Sequence, residues 1–375
     1  MARVLVISFS DLGRDPRVDR QIGFLLPHHR IVAAGLGPPR HAVDEFVDIS
    51  PPPRRLRERA VGLALSLARR YETHFWTRSS NIAALERLRH VRPDVVLAND
   101  IDTLPIALAL QVPVVFDAHE HAPSQFAERR GWQALHATRI RWLCRRYLPR
   151  AAKITIVGQG IADAYERDFR VRATVVTNAP HYADLAPTPL HDPIRIVHHG
   201  GAQPGRGLEE MVQAAALLDE RFTTDFMLVE SWPGYRERLI RLAAGNPRIE
   251  FPDPQPMDML VEATNDYDIG IFLLPPVNLQ RRYALPNKLF EFIQARLAIA
   301  VGPSPEMASI VRTYGCGIVT DDFEPETLAT ALNGLDSAAI DAFKRASHAA
   351  ARELCAEKNE PIVVAAVEEA LGGGG

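Results

Sequence analysis

Two doubly wound α/β domains are the architecture this sequence predicts, and three observations carry it. Short apolar runs rich in Val and Ile, bounded by Pro, Gly or Asp, alternate with segments of helical periodicity, as a parallel sheet buried on both faces requires. The alternation breaks once, at the Pro-rich stretch APTPLHDP (186–193), and then restarts. The chain of 375 residues is long enough for two domains of ordinary size.

The strands expected in the first domain are RVLVISF (3–9), RIVAAGL (30–36), DVVLAND (94–100), PVVFDAHE (113–120), KITIVG (153–158) and ATVVTN (173–178). Helical periodicity covers 16–26, 54–70, 79–91, 131–149 and 160–168. After the interruption come IRIVHHGG (194–201), DFMLVE (225–230), RIEFPD (248–253), YDIGIFLL (267–274), LAIAVGP (297–303) and GCGIVTD (315–321), each followed by a helical segment. The expected division is a first domain over 1–185, a linker over 186–193, a second domain over 194–355, and a C-terminal helix over 356–371 that crosses back to the first domain. In such sheets ligands bind beyond the carboxyl ends of the strands, so the residues there are the first candidates for a site.

Composition narrows the function. With 47% hydrophobic and 24% charged residues the chain reads as globular, and no apolar run approaches the length of a membrane span. The N-terminus enters a strand directly and shows no cleavage site, so no signal peptide is expected. Cys144, Cys316 and Cys355 lack zinc or disulfide spacing and read as reduced packing residues of a cytoplasmic protein. A net charge of −3 argues against a general nucleic-acid binder. It conceals an asymmetry: residues 1–185 carry 27 basic against 19 acidic residues, or +8, and the remainder 16 against 27, or −11. The basic stretch PPPRRLRERAVGLALSLARRY (51–71) is an amphipathic helix that reads either as core-facing, the preferred reading, or as a peripheral membrane contact.

The most informative chemistry lies in RRYALPNKLFEFIQARLAIAVGPSPE (281–306). Pro286 and Asn287 suit a helix start, and Lys288 and Glu291 share one face in its first turns. A helix N-terminus with a lysine is an anion site, and a carboxylate one turn on can accept from vicinal hydroxyls. Phosphate plus diol describes a nucleotide; a solvated Lys–Glu pair is the plain alternative. HHGGAQPGRGLEEM (198–211) adds a Gly-rich loop after the first strand of the second domain, with Gly200, Gly201, Gly205, Gly207 and the phosphate donor Arg206. It is neither GxGxxG nor a Walker A loop.

With these pieces stand SDLGRDPRVDRQ (10–21), VLANDIDTLP (96–105), VVFDAHE (114–120), ITIVGQGIADAY (154–165), VVTNAP (175–180), GGAQPGRGLEEM (200–211) and YALPNKLFEF (283–292). In this order and spacing the chain resembles the family-4 glycosyltransferases of the GT-B fold. The resemblance implies two Rossmann-like domains facing a central cleft. It implies a retaining transferase that moves a sugar from a nucleotide-diphosphate sugar, bound by the C-terminal domain, to an acceptor hydroxyl on the N-terminal one. No metal or other cofactor is expected. His119 matches the family's active-site histidine, Arg206 and Lys288 its diphosphate-binding cations, and Gly13 the glycine loop that faces the donor phosphates. Glu291 matches the second glutamate of the E-x7-E motif, expected on the ribose hydroxyls. Tyr283 stands where the first glutamate would be, with Leu285 between them in the donor-binding stretch, and a further arginine of the Gly-rich loop is replaced by Gly200 and Gly201.

Other residues admit two readings each. Asp100 and Asp102 follow a strand and either position an acceptor hydroxyl or, for Asp102, cap the next helix. Asp15, Arg17 and Arg20 either touch an acceptor or, for the arginines, are solvated. HEH (119–121) looks metal-like, but HExxH would need a histidine where Pro123 stands. His198 and His199 alternate on a strand and do not easily share a metal; one packs and the other approaches the donor. The acceptor is a glycan, a lipid-linked sugar or a small molecule, and the place of action cytoplasmic or the inner face of a membrane. A nucleotide-sugar epimerase of the same fold and a silent nucleotide-sugar-binding protein are the alternatives.

Overall fold

The computed structural model describes residues 1–53, 56–125, 136–243 and 245–373. The chain divides into two compact units, one made of Met1–Thr177 with Asn359–Gly375 and the other of Asn178–Lys358.

The first unit is built on a seven-stranded parallel sheet: β1 (Arg3–Ile7), β2 (Arg30–Gly35), β3 (Glu45–Asp48), β4 (Val95–Asn99), β5 (Val114–Ala118), β6 (Lys153–Ile156) and β7 (Thr174–Val175), in the order β3-β2-β1-β4-β5-β6-β7. The apolar runs of β1, β4 and β5 are buried almost without a break, which pays for ordering strands with helices on both faces. β3 was not expected. Its four residues EFVD lack an apolar run and sit at the sheet edge with both ends exposed, so hydrophobicity could not announce it. The strand expected over 173–178 shrinks to Thr174–Val175 at the opposite edge. The order reverses between β1 and β4, and the chain beyond the carboxyl ends of β1, β4 and β5 therefore lies at the switch point of the sheet. The C-terminal helix Glu360–Gly372 packs on this unit, with Asn359 held by Thr177 and Lys153 paired with Glu369.

The helix Leu56–Leu67 corrects the preferred reading of 51–71. No described residue of that helix is buried; Leu56 is 83% and Leu67 69% exposed. Leu56, Ala60, Leu63 and Leu67 recur at the spacing of one helix face, yet all four are exposed. Arg54 and Arg55 lie outside the described residues, as does the first part of the helix expected over 131–149, which is described from Thr138 to Tyr147.

The second unit has a six-stranded parallel sheet: β8 (Ile194–Ala202), β9 (Phe222–Glu230), β10 (Ile249–Glu250), β11 (Ile269–Phe272), β12 (Ala298–Val301) and β13 (Gly317–Val319), in the order β10-β9-β8-β11-β12-β13. Its core joins both sheet faces through Phe226, Phe290, Phe292 and the residues of β11 and β12. The Pro-rich stretch 186–193 is fastened to this unit. The buried pair Lys344–Asp268 (2.7 Å) ties in Thr188, 3.0 Å from Lys344 Nζ, and His191, whose backbone N–H donates to Asp268 at 3.3 Å. Among the described residues no helix is long and apolar enough to cross a membrane.

Candidate active site

Beyond β5 of the first unit, His119 is held by a buried carboxylate that the sequence reading did not single out. Asp117, the last but one residue of β5, is fully buried. Arg17 grips it with two bonds of 2.5 and 2.7 Å, and Gln21 (2.7 Å) and Thr155 (2.5 Å) donate to it as well. Burial alone would push this carboxyl up; the Arg17 guanidinium and the hydrogen bonds hold it well below the usual range. His119 Nε2 lies 3.1 Å from Asp117 Oδ2 and 2.8 Å from Asn99 Oδ1. Two acceptors at one nitrogen assign the proton to Nε2 and leave Nδ1 directed toward Asp100, 3.9 Å away. Burial opposes a charge on His119, but Asp100 and Asp117 outweigh it, and its pKa is raised. Asp100 itself sits at φ +67°, in the left-handed region that side chains rarely adopt, with its carboxylate half-exposed.

His119 and Asp100 open on a cavity of about 650 Å³ within this unit. Its walls include Phe9, Leu36, Ile101, Phe116 and Ile140, with Asp102, Arg59 and Arg78 at the polar positions. Asp102 is therefore a cavity residue and not a helix cap: the helix Leu104–Leu108 begins after Thr103, while Asp102 accepts from Arg139 at 3.2 Å and lies 3.9 Å from Arg78. Arg17 is also corrected. At 6% exposure, with its guanidinium spent on Asp117 and the Val176 carbonyl, it is neither solvated nor an acceptor contact; its charge holds the group that holds His119. Asp15 caps the helix Pro16–Leu25 by accepting from the Arg17 and Val18 N–H groups. Gly13 lies in the turn after β1, where its carbonyl accepts from Arg40 at 2.8 Å. His121 does not join His119 as a metal ligand. Its Nδ1 bonds Ser124 Oγ at 2.8 Å, burial lowers its pKa to about 4, and the described residues contain no metal-holding cluster.

In the second unit, the Gly-rich loop and the helix Asn287–Gln294 come together at the carboxyl ends of β8 and β11. Gly200 has φ +131°, and a side-chain carbon there would stand 2.5 Å from Lys288 Cε and Nζ. Only glycine lets the Lys288 chain lie against this backbone. The Lys288 ammonium also sits 5.1 Å over the Phe272 ring. Burial, then the charge of Arg206, lowers its pKa to about 8, against the pull of Glu291. Gly207, at φ +70°, starts the helix Leu208–Ala216, and the exposed Arg206 precedes it. Arg281 bonds the Gly205 carbonyl, a loop brace that sequence reading missed because an arginine in a short polar helix gives no signal of its target. Gly201 lies against Ser231.

Glu291 and His199 lie 3.5 Å apart, and His199 packs edge-on against Phe292. His198 points to the other face, where its Nδ1 donates to the Ile271 carbonyl at 2.9 Å. Burial, followed by Lys288, lowers the His198 pKa to about 3 and that of His199 well below its usual value, so both rings are neutral. Tyr283 ends the helix Leu279–Arg282 with Arg282 5.5 Å over its ring, and Leu285 is buried. Lys288, Glu291, Gly200 and Arg206 thus form one cluster of two cations, one carboxylate and open backbone. Such a set suits an anion flanked by hydroxyls.

Residues 28–186 match the model of Glycosyltransferase Family 4. No curated protein matches the chain. Among solved structures, a sucrose-phosphate synthase from Thermosynechococcus elongatus is similar with TM-score 0.76 at 12% identity, covering 99% of each chain. A trehalose-6-phosphate protein from E. coli bound with UDP-2-fluoro glucose has TM-score 0.68 at 11% identity, covering 98% of this chain and 99% of that one. WaaG, a glycosyltransferase involved in lipopolysaccharide biosynthesis, has TM-score 0.63 at 13% identity, covering 96% and 99%. The expected resemblance to the family-4 glycosyltransferases is borne out over 28–186, and the GT-B fold over the chain.

Proposed function

Taking as premise a chain of GT-B fold whose residues 28–186 match glycosyltransferase family 4, we propose that it is a retaining glycosyltransferase that uses a nucleotide-diphosphate sugar and no metal. The observation that carries the donor assignment is Lys288, whose ammonium lies against Gly200 with its pKa lowered to about 8, beside Arg206 and Glu291. A buried cation beside a second cation is primed for an anionic ligand. In this reading Lys288 and Arg206 take the diphosphate, Glu291 accepts from the ribose hydroxyls, and Gly200 and Gly201 allow close approach. The UDP-sugar analogue in the E. coli structure supports a nucleotide-sugar donor.

As the bond from the anomeric carbon to the diphosphate breaks, negative charge grows on the leaving group, and the two cations stabilise it more than the ground state. That electrostatic role is the one a metal would otherwise fill. The acceptor oxygen bonds to the anomeric carbon on the face the diphosphate leaves, and its proton passes to the departing phosphate oxygen. His119, with Nε2–H fixed by Asp117 and Asn99, offers Nδ1 to the sugar or acceptor. An acceptor-sized cavity beside His119 favours transfer over the epimerase reading, which needs no acceptor. The test is release of free nucleotide from UDP-, GDP-, dTDP- and ADP-sugars by the wild type and Lys288→Ala. One donor class is expected to be turned over by the wild type, and the variant to lose at least 100-fold; equal rates would overturn the assignment.

A further inference from the structure

The turn after β9 holds a tryptophan in the open beside the Gly-rich loop. β8 pairs with β11 as far as Val197, while its pairing with β9 continues to Ala202 and Glu230. Gly200 and Gly201 lie on this projecting pair, opposite Leu228 and Val229. Beyond it the chain turns through Ser231, Trp232, Pro233 and Gly234 into the helix Tyr235–Leu242. Gly234 has φ +73°, the Ser231 hydroxyl donates to the Val229 carbonyl at 3.2 Å, and the Tyr235 backbone N–H donates to the Trp232 carbonyl at 3.1 Å.

The turn is fastened to the loop that carries Arg206. Ser231 packs so closely on Gly201 that a side-chain carbon there would stand 2.7 Å from its hydroxyl oxygen. The buried Tyr235 donates through its own hydroxyl to Glu209, in the first turn of the helix Leu208–Ala216 that follows Arg206 and Gly207. Within this braced turn the Trp232 side chain stays in solvent, with 49% of the residue exposed, and Val229 beside it is exposed as well. The bonds that shape the turn come from Ser231, Tyr235 and the backbone, so the indole is not what holds it. Leaving so large an apolar ring in water forgoes most of what burying it would contribute to stability.

Resting on the donor reading above, we propose that Trp232 is the platform on which the donor's nucleobase stacks while Lys288 and Arg206 hold the diphosphate. The ligand read at Lys288 carries one flat aromatic group, its base, and an indole face gives such a ring a large apolar contact with a favourable stacking geometry. Stacking uses the face of the ring and serves either a purine or a pyrimidine. The rigid turn adds to affinity because little motion is lost when the base settles on it. The competing use of the same surface is contact with the donor's sugar ring.

The test is calorimetric titration of the full chain with UDP, ADP, UDP-glucose and pyrophosphate, for the wild type, Trp232→Ala and Trp232→Phe. Trp232 lies in an exposed turn, so folding is not at stake. One stacked base is worth at least about fivefold in affinity. Trp232→Ala should weaken by that factor or more every nucleoside diphosphate that the wild type binds, and leave pyrophosphate nearly unchanged. Trp232→Phe, which keeps a ring, should recover most of the loss. Nucleotide should also quench the tryptophan fluorescence of the wild type and not that of Trp232→Ala, and pyrophosphate should quench neither. Equal nucleotide affinity in wild type and Trp232→Ala, an equal loss for pyrophosphate, or no recovery in Trp232→Phe would overturn the proposal. A loss confined to UDP-glucose would overturn it in favour of the sugar ring. If the wild type binds pyrophosphate or nucleotide and Trp232→Ala matches it, only the base platform falls; if the wild type binds none of the four, the donor reading falls and the platform with it.

Discussion

His119 Nε2 lies 3.1 Å from Asp117 Oδ2, and that carboxylate is itself locked by Arg17, Gln21 and Thr155. The imidazole is thus fixed by a fully buried ion pair that joins the first helix to β5 and β6. Asp117 helps set the orientation of His119 and, after Asp100, raises its pKa.

Asp117→Asn keeps the size of the side chain and removes its charge. It leaves Arg17 buried without its counter-charge, which costs about 3–5 kcal/mol. Urea denaturation should show this loss, and NMR titration should show the His119 pKa falling, since Asp117 is one of the charges that raise it. An unchanged His119 titration in a folded Asp117→Asn protein would detach the histidine from this network.

The same shifts set two pH windows. Asp117 is depressed, so its contribution to stability is present above about pH 4, the ordinary carboxyl value, and is lost only as pH falls through its much lower folded value. His119 is raised, so its contribution is full below about pH 6.5 and is lost as pH rises through its folded value. Denaturation midpoints of wild type and His119→Asn should therefore differ most near pH 6 and converge in alkaline solution. A gap that grew with pH would contradict the charged imidazole.

Lys288 shifts the other way, to about 8, because burial and Arg206 disfavour its charge. A bound diphosphate should restore the proton. Nucleotide affinity should then fall as pH rises above 8, with proton uptake on binding that is small near neutrality and grows above pH 8, measured by calorimetry in buffers of different ionisation enthalpy. Binding without proton uptake and with no decline above pH 8 would separate Lys288 from the ligand.

Gly200→Ala places a methyl group where Lys288 Cε and Nζ stand and strains a backbone at φ +131°. The strain should cost about 1–3 kcal/mol, and displacement of Lys288 should cut nucleotide affinity at least about tenfold. In contrast, Val61→Ser and Leu63→Ser on the helix Leu56–Leu67 should change stability by no more than about 0.5 kcal/mol, because no described residue of that helix is buried. A large loss in the serine variants would mean that the helix is part of the core.

Much of this arrangement was legible in the sequence, for physical reasons. Strands buried on both faces must be apolar throughout, so β1, β4, β5, β8, β11 and β12 announced themselves, whereas the edge strand EFVD of β3 did not. The spacing of Lys288 and Glu291 and the glycines of 200–207 announced the cluster they form, since a three-residue offset on a helix fixes a common face. Asp117 left a trace that went unread: an acid inside the apolar run VVFDAHE is too costly to bury without a cation. Its partner Arg17 lies 100 residues away, a pairing no local pattern encodes. The helix Leu56–Leu67 misled because its composition matches a core helix while its burial is set by neighbours that sequence does not show.

The most direct measurement is the affinity of UDP, GDP, dTDP and ADP for the wild type, Lys288→Ala and His119→Ala, by calorimetry at pH 7. The account predicts that at least one nucleotide binds the wild type, that Lys288→Ala weakens it at least about tenfold, and that His119→Ala leaves it nearly unchanged. Absence of binding by every nucleotide, or full binding by Lys288→Ala with loss in His119→Ala, would contradict it.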